Sequence, residues 1–191
     1  MNPLLRKLAL IGVFTALMCV LSPISLPLQP VPLSLATLMV YLIAACFSYK
    51  IAPAIIALYI GLGAFGLPVF ASFRGGFSVI LGPTGGFILG YLLGAVAESV
   101  LITAFPKKKW IYPLAMLGAT FCIYAFGLVW FLAYRGFDYG LGRALMVCVV
   151  PFLLWDGIKI ALSSVLGYRL RRIFDRNHLL PTALEQGERQ P

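Results

Sequence analysis

Between Gly61 and Gly94 the sequence reads Gly-Leu-Gly-Ala-Phe-Gly-Leu-Pro-Val-Phe-Ala-Ser-Phe-Arg-Gly-Gly-Phe-Ser-Val-Ile-Leu-Gly-Pro-Thr-Gly-Gly-Phe-Ile-Leu-Gly-Tyr-Leu-Leu-Gly. Apolar segments of helix length flank it, yet its middle is crowded with residues that interrupt helices. Glycine opens backbone conformations that other residues avoid. Proline removes a donor and fixes its own φ. Inside a bilayer, irregular backbone persists only where protein buries it or where it lines a cavity. The stretch therefore reads as a glycine-rich loop folded over a solute cavity.

Composition places the flanking segments in a membrane. The chain is 61% hydrophobic and 11% charged, whereas soluble domains average about 25% charged. Too little polar surface is left to cover a globule in water. The apolar runs are continuous rather than alternating, which argues against a β-barrel. The formal net charge of +9 would raise nucleic-acid binding in a soluble chain. Here the basic residues sit at the ends of apolar runs, where membrane topology accounts for them, so no nucleic-acid partner is expected. Cys19, Cys46, Cys122 and Cys148 each lie inside an apolar run without metal-ligand spacing. They read as small core or lipid-facing residues, not disulfides. Arg6-Lys7 and the apolar run after it imitate a secretory signal. No small-x-small cleavage site follows, and Pro23, Pro27, Pro30 and Pro32 come next, so the run is read as a retained membrane helix.

The pattern predicts an all-α integral membrane protein with six transmembrane helices in one bundle over 1–176, and a disordered polar tail over 177–191. The first helix covers about Leu8 to Leu21 and carries Ala9, Gly12 and Ala16. Small residues three and four apart make a smooth stripe that lets another helix approach, within this chain or on another subunit. Ser22 to Ser34 holds four prolines yet is apolar, and reads as a stiff lid over the mouth of a cavity, with Gln29 offering donor and acceptor inward. The second helix spans about Leu35 to Phe47, and the third about Ile51 to Phe65, including Tyr59. The fourth starts near Pro83 to Gly86 and ends at Phe105. Gly86, Gly90 and Gly94 bare one of its faces for close packing, and Glu98 follows one turn on. After the basic loop Pro106 to Lys109 comes a fifth helix, about Trp110 to Ala133. The polar loop Tyr134 to Arg143 leads to a sixth, about Ala144 to Tyr168, with a kink at Pro151.

Six crossings place alternate loops on one side. That side holds Arg6, Lys7, Lys50, Lys107, Lys108, Lys109, Arg169, Arg171, Arg172 and Arg176; the other holds Arg74, Arg135 and Arg143. Positive flanks stay inside, so both termini are expected in the cytoplasm of a multi-pass plasma-membrane protein. The proline-rich and glycine-rich loops then face outward.

Asp156 and Lys159 lie deep in the last apolar span, where each charge costs at least roughly 2.5–3.5 kcal/mol on insertion scales. Three apart, they share a helix face and can pair. Such residues mark solute pathways more often than they serve only to hold a bundle together. Trp155 beside them is a candidate cavity wall. No nucleophile–base constellation or metal cluster is legible; the single histidine, His178, lies in the tail. The glycine-rich stretch lacks the Lys-Ser/Thr ending of a P-loop, so active transport would draw its energy from a partner or an ion gradient.

Pro30-Val-Pro-Leu-Ser, Gly61-Leu-Gly-Ala-Phe-Gly-Leu-Pro-Val-Phe, Gly75-Gly-Phe-Ser-Val-Ile-Leu-Gly-Pro-Thr-Gly-Gly-Phe and Asp156-Gly-Ile-Lys159 together resemble the BioY family, the biotin-specific S components of energy-coupling factor (ECF) transporters. The resemblance runs from the first helix to the last. It implies a substrate-binding subunit, not an enzyme, that takes up biotin from outside. The implied partners are a transmembrane coupling protein and two cytoplasmic ABC-type ATPases, with no cofactor. The Ala9/Gly12/Ala16 stripe matches the family's docking motif, with Gly where Ala is usual. Ala71-Ser-Phe-Arg departs from a stretch that is often richer in glycine. Biotin is longer than the roughly 5–6 Å between β-carbons three apart on a helix, so the pair is not expected to hold both its ends. Asp156 is expected to accept from the ureido N–H groups, with Lys159 donating to a ligand oxygen or balancing Asp156. The carboxylate is expected nearer the mouth, with Arg74, Ser78 or the backbone N–H groups of Gly75 and Gly76. Gln29, Tyr59 and Trp155 are further wall candidates. Pro30, Pro32, Gly82, Pro83, Thr84, Gly85 and Gly86 are expected to shape the loops. Still open are an S component for another vitamin, an intramembrane enzyme resting on Asp156, Lys159 or Glu98, and a structural subunit.

Overall fold

A computed structural model describes residues 3–26 and 31–176. Each of the expected apolar segments forms a helix: α1 (Pro3–Leu21), α2 (Ala36–Cys46), α3 (Ile51–Ala64), α5 (Gly85–Ala104), α6 (Ile111–Arg135) and α8 (Val150–Arg176). Two shorter helices, α4 (Phe77–Ile80) and α7 (Leu141–Cys148), lie in the connections. Helices α5, α6 and α8 are long and apolar enough to cross a membrane by themselves. The 11-residue α2 rises only about 17 Å at 1.5 Å per residue, well short of a roughly 30 Å hydrocarbon core. It survives as the central helix, with Met39 to Tyr41 and Ile43 to Cys46 all buried by its neighbours. On its N-terminal side the chain is a small antiparallel hairpin, β1 (Ser25–Leu26) paired with β2 (Leu33–Ser34). Ser22, Val31, Leu33 and Ser34 are buried, so the described parts of this segment lie against the bundle.

The glycine stripe sets the tightest helix pair. A methyl built on Gly90 would stand 3.2 Å from the Ile123 Cα, and one on Gly94 would stand 2.9 Å from Ile123 Cγ1 and 3.2 Å from the Ala119 carbonyl. At Gly86 it would run into Trp130, and at Gly127, on the facing helix, into Phe87. With no side chains between them, the α5 and α6 backbones meet closely, which fixes Tyr91 relative to Tyr124.

The first helix starts at Pro3, ahead of the expected Leu8, and the last expected helix differs at two points. The expected kink at Pro151 is a full break. Val149 leaves helical geometry (φ −124°, ψ −57°) and separates α7 from α8, which puts Pro151 in the first turn of α8, where its missing N–H costs no bond. The helix also does not stop at Tyr168 but continues to Arg176, so the basic residues from Arg169 onward sit on a helix. Arg171 is buried and donates from Nη1 to the Ala45 carbonyl at 3.0 Å, capping the C-terminal end of α2 with a cation. Residues 177–191 lie outside the described residues.

Candidate functional site

Helix α8 turns Asp156, Lys159, Ser163 and Gly167 inward as one stripe. A methyl on Gly167 would lie 2.7 Å from the Ala45 Cβ, so this face is pressed against α2. Asp156 and Lys159 are 3% and 7% exposed, and they pair at 3.0 Å. A buried pair is tolerable only when its remaining polar atoms are satisfied, and here they are. Lys159 Nζ donates to the Ser34 carbonyl at 2.8 Å, to Thr37 Oγ1 at 2.8 Å and to Asp156 Oδ1 at 3.0 Å. An ammonium has three protons, so this set uses all of them. Asp156 Oδ1 also accepts from Thr37 Oγ1 at 3.2 Å, and Oδ2 accepts from the Tyr124 hydroxyl at 2.5 Å. The ammonium takes its backbone acceptor from β2, so the charge pair ties the lid to α8.

This network lines an inner chamber of about 40 Å³, walled on its other sides by Phe87, Tyr91, Ile123 and Phe152. An outer chamber of about 30 Å³ adjoins it, lined by Ser22, Tyr59, Phe70, Arg74 and Thr84. Val31, Pro32, Ser34, Phe87 and Tyr91 border both, which makes them two ends of one site under the hairpin. The Tyr59 hydroxyl donates to the Val69 carbonyl at 3.2 Å and lies 2.6 Å from Ser22 Oγ, binding α3 to both roof segments. A second strap joins the segments directly: the Ser72 N–H donates to Ser25 Oγ at 2.8 Å and to the Pro23 carbonyl at 3.1 Å. Ser72 and Phe73 adopt positive φ, at 60° and 55°, a conformation costly for non-glycine residues and frequent at ligand sites.

Of the residues singled out from the sequence, Asp156, Lys159, Tyr59, Arg74, Pro32 and Thr84 line the two chambers. Arg74 is exposed, and its Nε donates to the Ala71 carbonyl at 3.3 Å. Gly85 and Gly86 are buried against Ile80 and Trp130, and Gly82 accepts the Trp130 indole N–H at 3.0 Å. Pro83 is half-buried in the same turn. These four residues shape the turn into α5. Trp155 does not wall the cavity. It is 45% exposed, because a neighbour in sequence points about 100° away around a helix. Ser78 is exposed and borders neither chamber. The Gly76 N–H is not open to a ligand, since it donates to the Gly63 carbonyl at 2.7 Å. Gly75 sits with its α-carbon against the Leu67 carbonyl, where no side chain fits. Gln29 and Pro30 lie outside the described residues. Ala9, Gly12 and Ala16 are exposed on the outer face of α1, and nothing stands within 4 Å of a methyl built on Gly12. Glu98 is fully buried without a hydrogen-bond partner among the described residues, away from both chambers. Sequence reasoning passed over Thr37, Tyr91, Tyr124 and the Ser34 carbonyl. For Thr37, Tyr91 and Tyr124 a polar group at a helix position inside an apolar span was the one signal; the Ser34 carbonyl on β2, a backbone group, had none.

Comparison with known proteins sets this arrangement in a family. The model for the BioY family matches residues 1–176. The biotin transporter BioY of Thermotoga maritima is 37% identical over 88% of this chain and 98% of its own. A probable biotin transporter BioY of Pyrococcus horikoshii is 33% identical over 87% and 96%, and biotin transporter BioY2 of Lactococcus lactis 33% over 90% and 93%. Among solved structures, the S-component for biotin from an ECF-type ABC transporter superposes with a TM-score of 0.81 over 90% of this chain and 93% of that one, at 22% identity. That likeness gives the fold, an all-α membrane bundle of the S-component type. With the family match running through every helix that builds the Asp156–Lys159 site, this chain belongs to the BioY family.

Proposed function

We propose that this chain is the biotin-binding S component of an ECF-type transporter, residing in the plasma membrane with both termini in the cytoplasm. The buried Asp156–Lys159 pair lining a roofed chamber carries this reading. Lys159 has no proton to spare, so it balances and orients Asp156 and does not hold the ligand itself. Asp156 Oδ2 has a single partner, the Tyr124 hydroxyl, and a ureido N–H can take that place while Tyr124 turns to the ureido oxygen. The valerate tail then runs through the outer chamber toward Arg74, whose cation favours a carboxylate. Phe87 and Tyr91, common to both chambers, offer apolar faces to the fused rings.

Ligand pockets span about 300–1,000 Å³, and each chamber here is far smaller. Biotin therefore needs the roof to lift, and the Ser25–Ser72 strap is where the two roof segments part. The sequence carries no P-loop, and the family resemblance implies that a coupling protein and two cytoplasmic ATPases energise transport. The exposed Ala9/Gly12/Ala16 stripe is the docking face we assign to the coupling protein.

Titration of the detergent-purified protein with biotin, biotin methyl ester and desthiobiotin tests this. Nanomolar biotin binding that the ester weakens is expected. A folded sample that ignores biotin removes the assignment.

A further inference from the structure

A second recess, lined by residues none of which border the Asp156 chamber, lies toward the C-terminal end of α8. It is an open groove of about 600 Å³ between the start of α6 and the end of α8. Lys109, Arg169, Arg172 and Arg176 line it, together with Tyr168 and apolar residues that include Pro113 and Val165. Tyr168 is its fixed centre, packed edge-on against the buried Tyr112 ring at 5.4 Å. The Lys109 ammonium stands 5.6 Å from the Tyr168 ring centroid, and the Arg172 guanidinium 5.5 Å. Two cations are thus gathered over one aromatic. Among the described residues none of the four cations forms an ion pair, since the pair at Asp156 is the single one found there. Asp175 lies in the adjoining recess, about 390 Å³, with Lys107 on the other side of Arg172.

We propose that this groove binds the headgroup of an anionic phospholipid. Four cations with no ion pair among the described residues, and only Asp175 of opposite charge in the adjoining recess, repel one another, and a phosphodiester relieves this with charge-assisted bonds. The groove is polar at the helix ends and apolar toward the middle of the bundle. Val165 is 53% exposed, and Leu162 and Leu117 are 50% and 56% exposed on the same two helices. A ligand that meets both faces is amphipathic: its phosphate sits among the cations and its acyl chain runs along α6 and α8. Trp110 at 61% exposure, beside Lys109, marks the interfacial level where aromatic residues concentrate. Basic recesses between membrane helices are the known form of such sites. The proposal does not depend on which solute the Asp156 chamber takes.

Native mass spectrometry of the full chain with equal phosphatidylglycerol and phosphatidylcholine tests it. Retention of phosphatidylglycerol is expected to exceed that of phosphatidylcholine about fivefold or more. Lys109→Gln/Arg172→Gln should erase the preference, while Lys7→Gln/Lys50→Gln, with the same loss of charge elsewhere, should keep it. Gel filtration and thermal unfolding report whether the groove variant is folded; Arg169→Gln/Arg176→Gln is the second pair if it is not. Equal loss in groove and control variants would reduce the effect to surface charge and overturn the proposal. So would displacement of the lipid by an equal concentration of inorganic phosphate, which would mean a site for free anions. A large gain of lipid binding in Glu185→Gln/Glu188→Gln would make the acidic C-terminal tail the occupant, again against the proposal.

Discussion

Removing the Asp156 charge separates two roles that the site combines. In Asp156→Asn the Lys159 ammonium keeps the Ser34 carbonyl and Thr37 hydroxyl as acceptors but loses its counter-charge. Breaking a buried pair from one side costs about 3–5 kcal/mol, and the two remaining acceptors put this case near the lower end. At about 2–4 °C per kcal/mol for a chain of this size, the unfolding midpoint should fall by roughly 6–12 °C. Biotin binding should weaken as well. A charge-assisted ureido bond contributes about 1.5–3 kcal/mol, so roughly 10- to 100-fold in Kd is expected. The double variant Asp156→Asn/Lys159→Gln distinguishes the two effects. With both charges gone no uncompensated ion is buried, and stability should return to within about 1 kcal/mol of the parent, whereas biotin binding should stay weak. Thermal unfolding in detergent and radiolabelled biotin titration measure the two quantities on the same samples. Unchanged binding in Asp156→Asn would refute the ureido assignment. A double variant no more stable than the single one would refute the coupling between the two side chains.

Other positions give sharper readings of individual parts. Arg74→Gln should weaken biotin about two- to fivefold, a small effect because the exposed cation is screened, and should leave biotin methyl ester unchanged; equal losses for both ligands would place the carboxylate elsewhere. Ser25→Ala cuts the Ser25–Ser72 strap and should speed both association and release of biotin in stopped-flow measurements, and unaltered rates would move the gate to another segment. Gly94→Val drives a side chain into Ile123 and the Ala119 carbonyl and should cost at least about 1–3 kcal/mol, while Gly118→Ala, open on all sides, should not lower the unfolding midpoint. Gly12→Leu should leave biotin affinity intact and abolish co-purification with the coupling protein; retained assembly would reassign the α1 face.

Sequence made the backbone plan legible through features whose cost in a membrane is high. Broken helices betray themselves by Gly and Pro, and a charge inside an apolar run has no inexpensive alternative to burial with a partner. Hence the Asp156–Lys159 pair and the Gly86/Gly90/Gly94 stripe could both be read from spacing. Hydroxyl groups carry no such signature. Thr37 and Tyr124 complete the Asp156 shell, yet Ser99 is more deeply buried and merely bonds to backbone carbonyls of its own helix. What distinguishes the first pair is a juxtaposition across 119 and 32 residues, set by α2 and α6 packing against α8. Backbone donors were misjudged for the same reason: the Gly76 N–H looks available in a glycine-rich loop, but the Gly63 carbonyl on α3 already takes it. Trp155 shows the opposite failure, adjacency along the chain being mistaken for adjacency in space.

The closed state of the site constrains how it can work. Every proton of Lys159 is engaged before a ligand arrives, and Asp156 already accepts from three donors. A solute thus gains nothing by adding bonds to this network; it must exchange partners within it. Exchange is nearly neutral for a ligand that supplies both a donor to Asp156 and an acceptor for the displaced Tyr124 hydroxyl, and costly for one that supplies only half of that set, because a buried polar group would be left unpaired. A cyclic urea supplies both within one rigid ring. Glu98 on α5 offers a contrast: it is buried as deeply but has no hydrogen-bond partner to exchange among the described residues, and it lines neither of the two chambers. Discrimination at this site therefore follows from the completeness of the Asp156 shell rather than from charge alone. The same shell holds β2 through the Ser34 carbonyl, so a disturbance at Asp156 reaches the roof through one shared lysine.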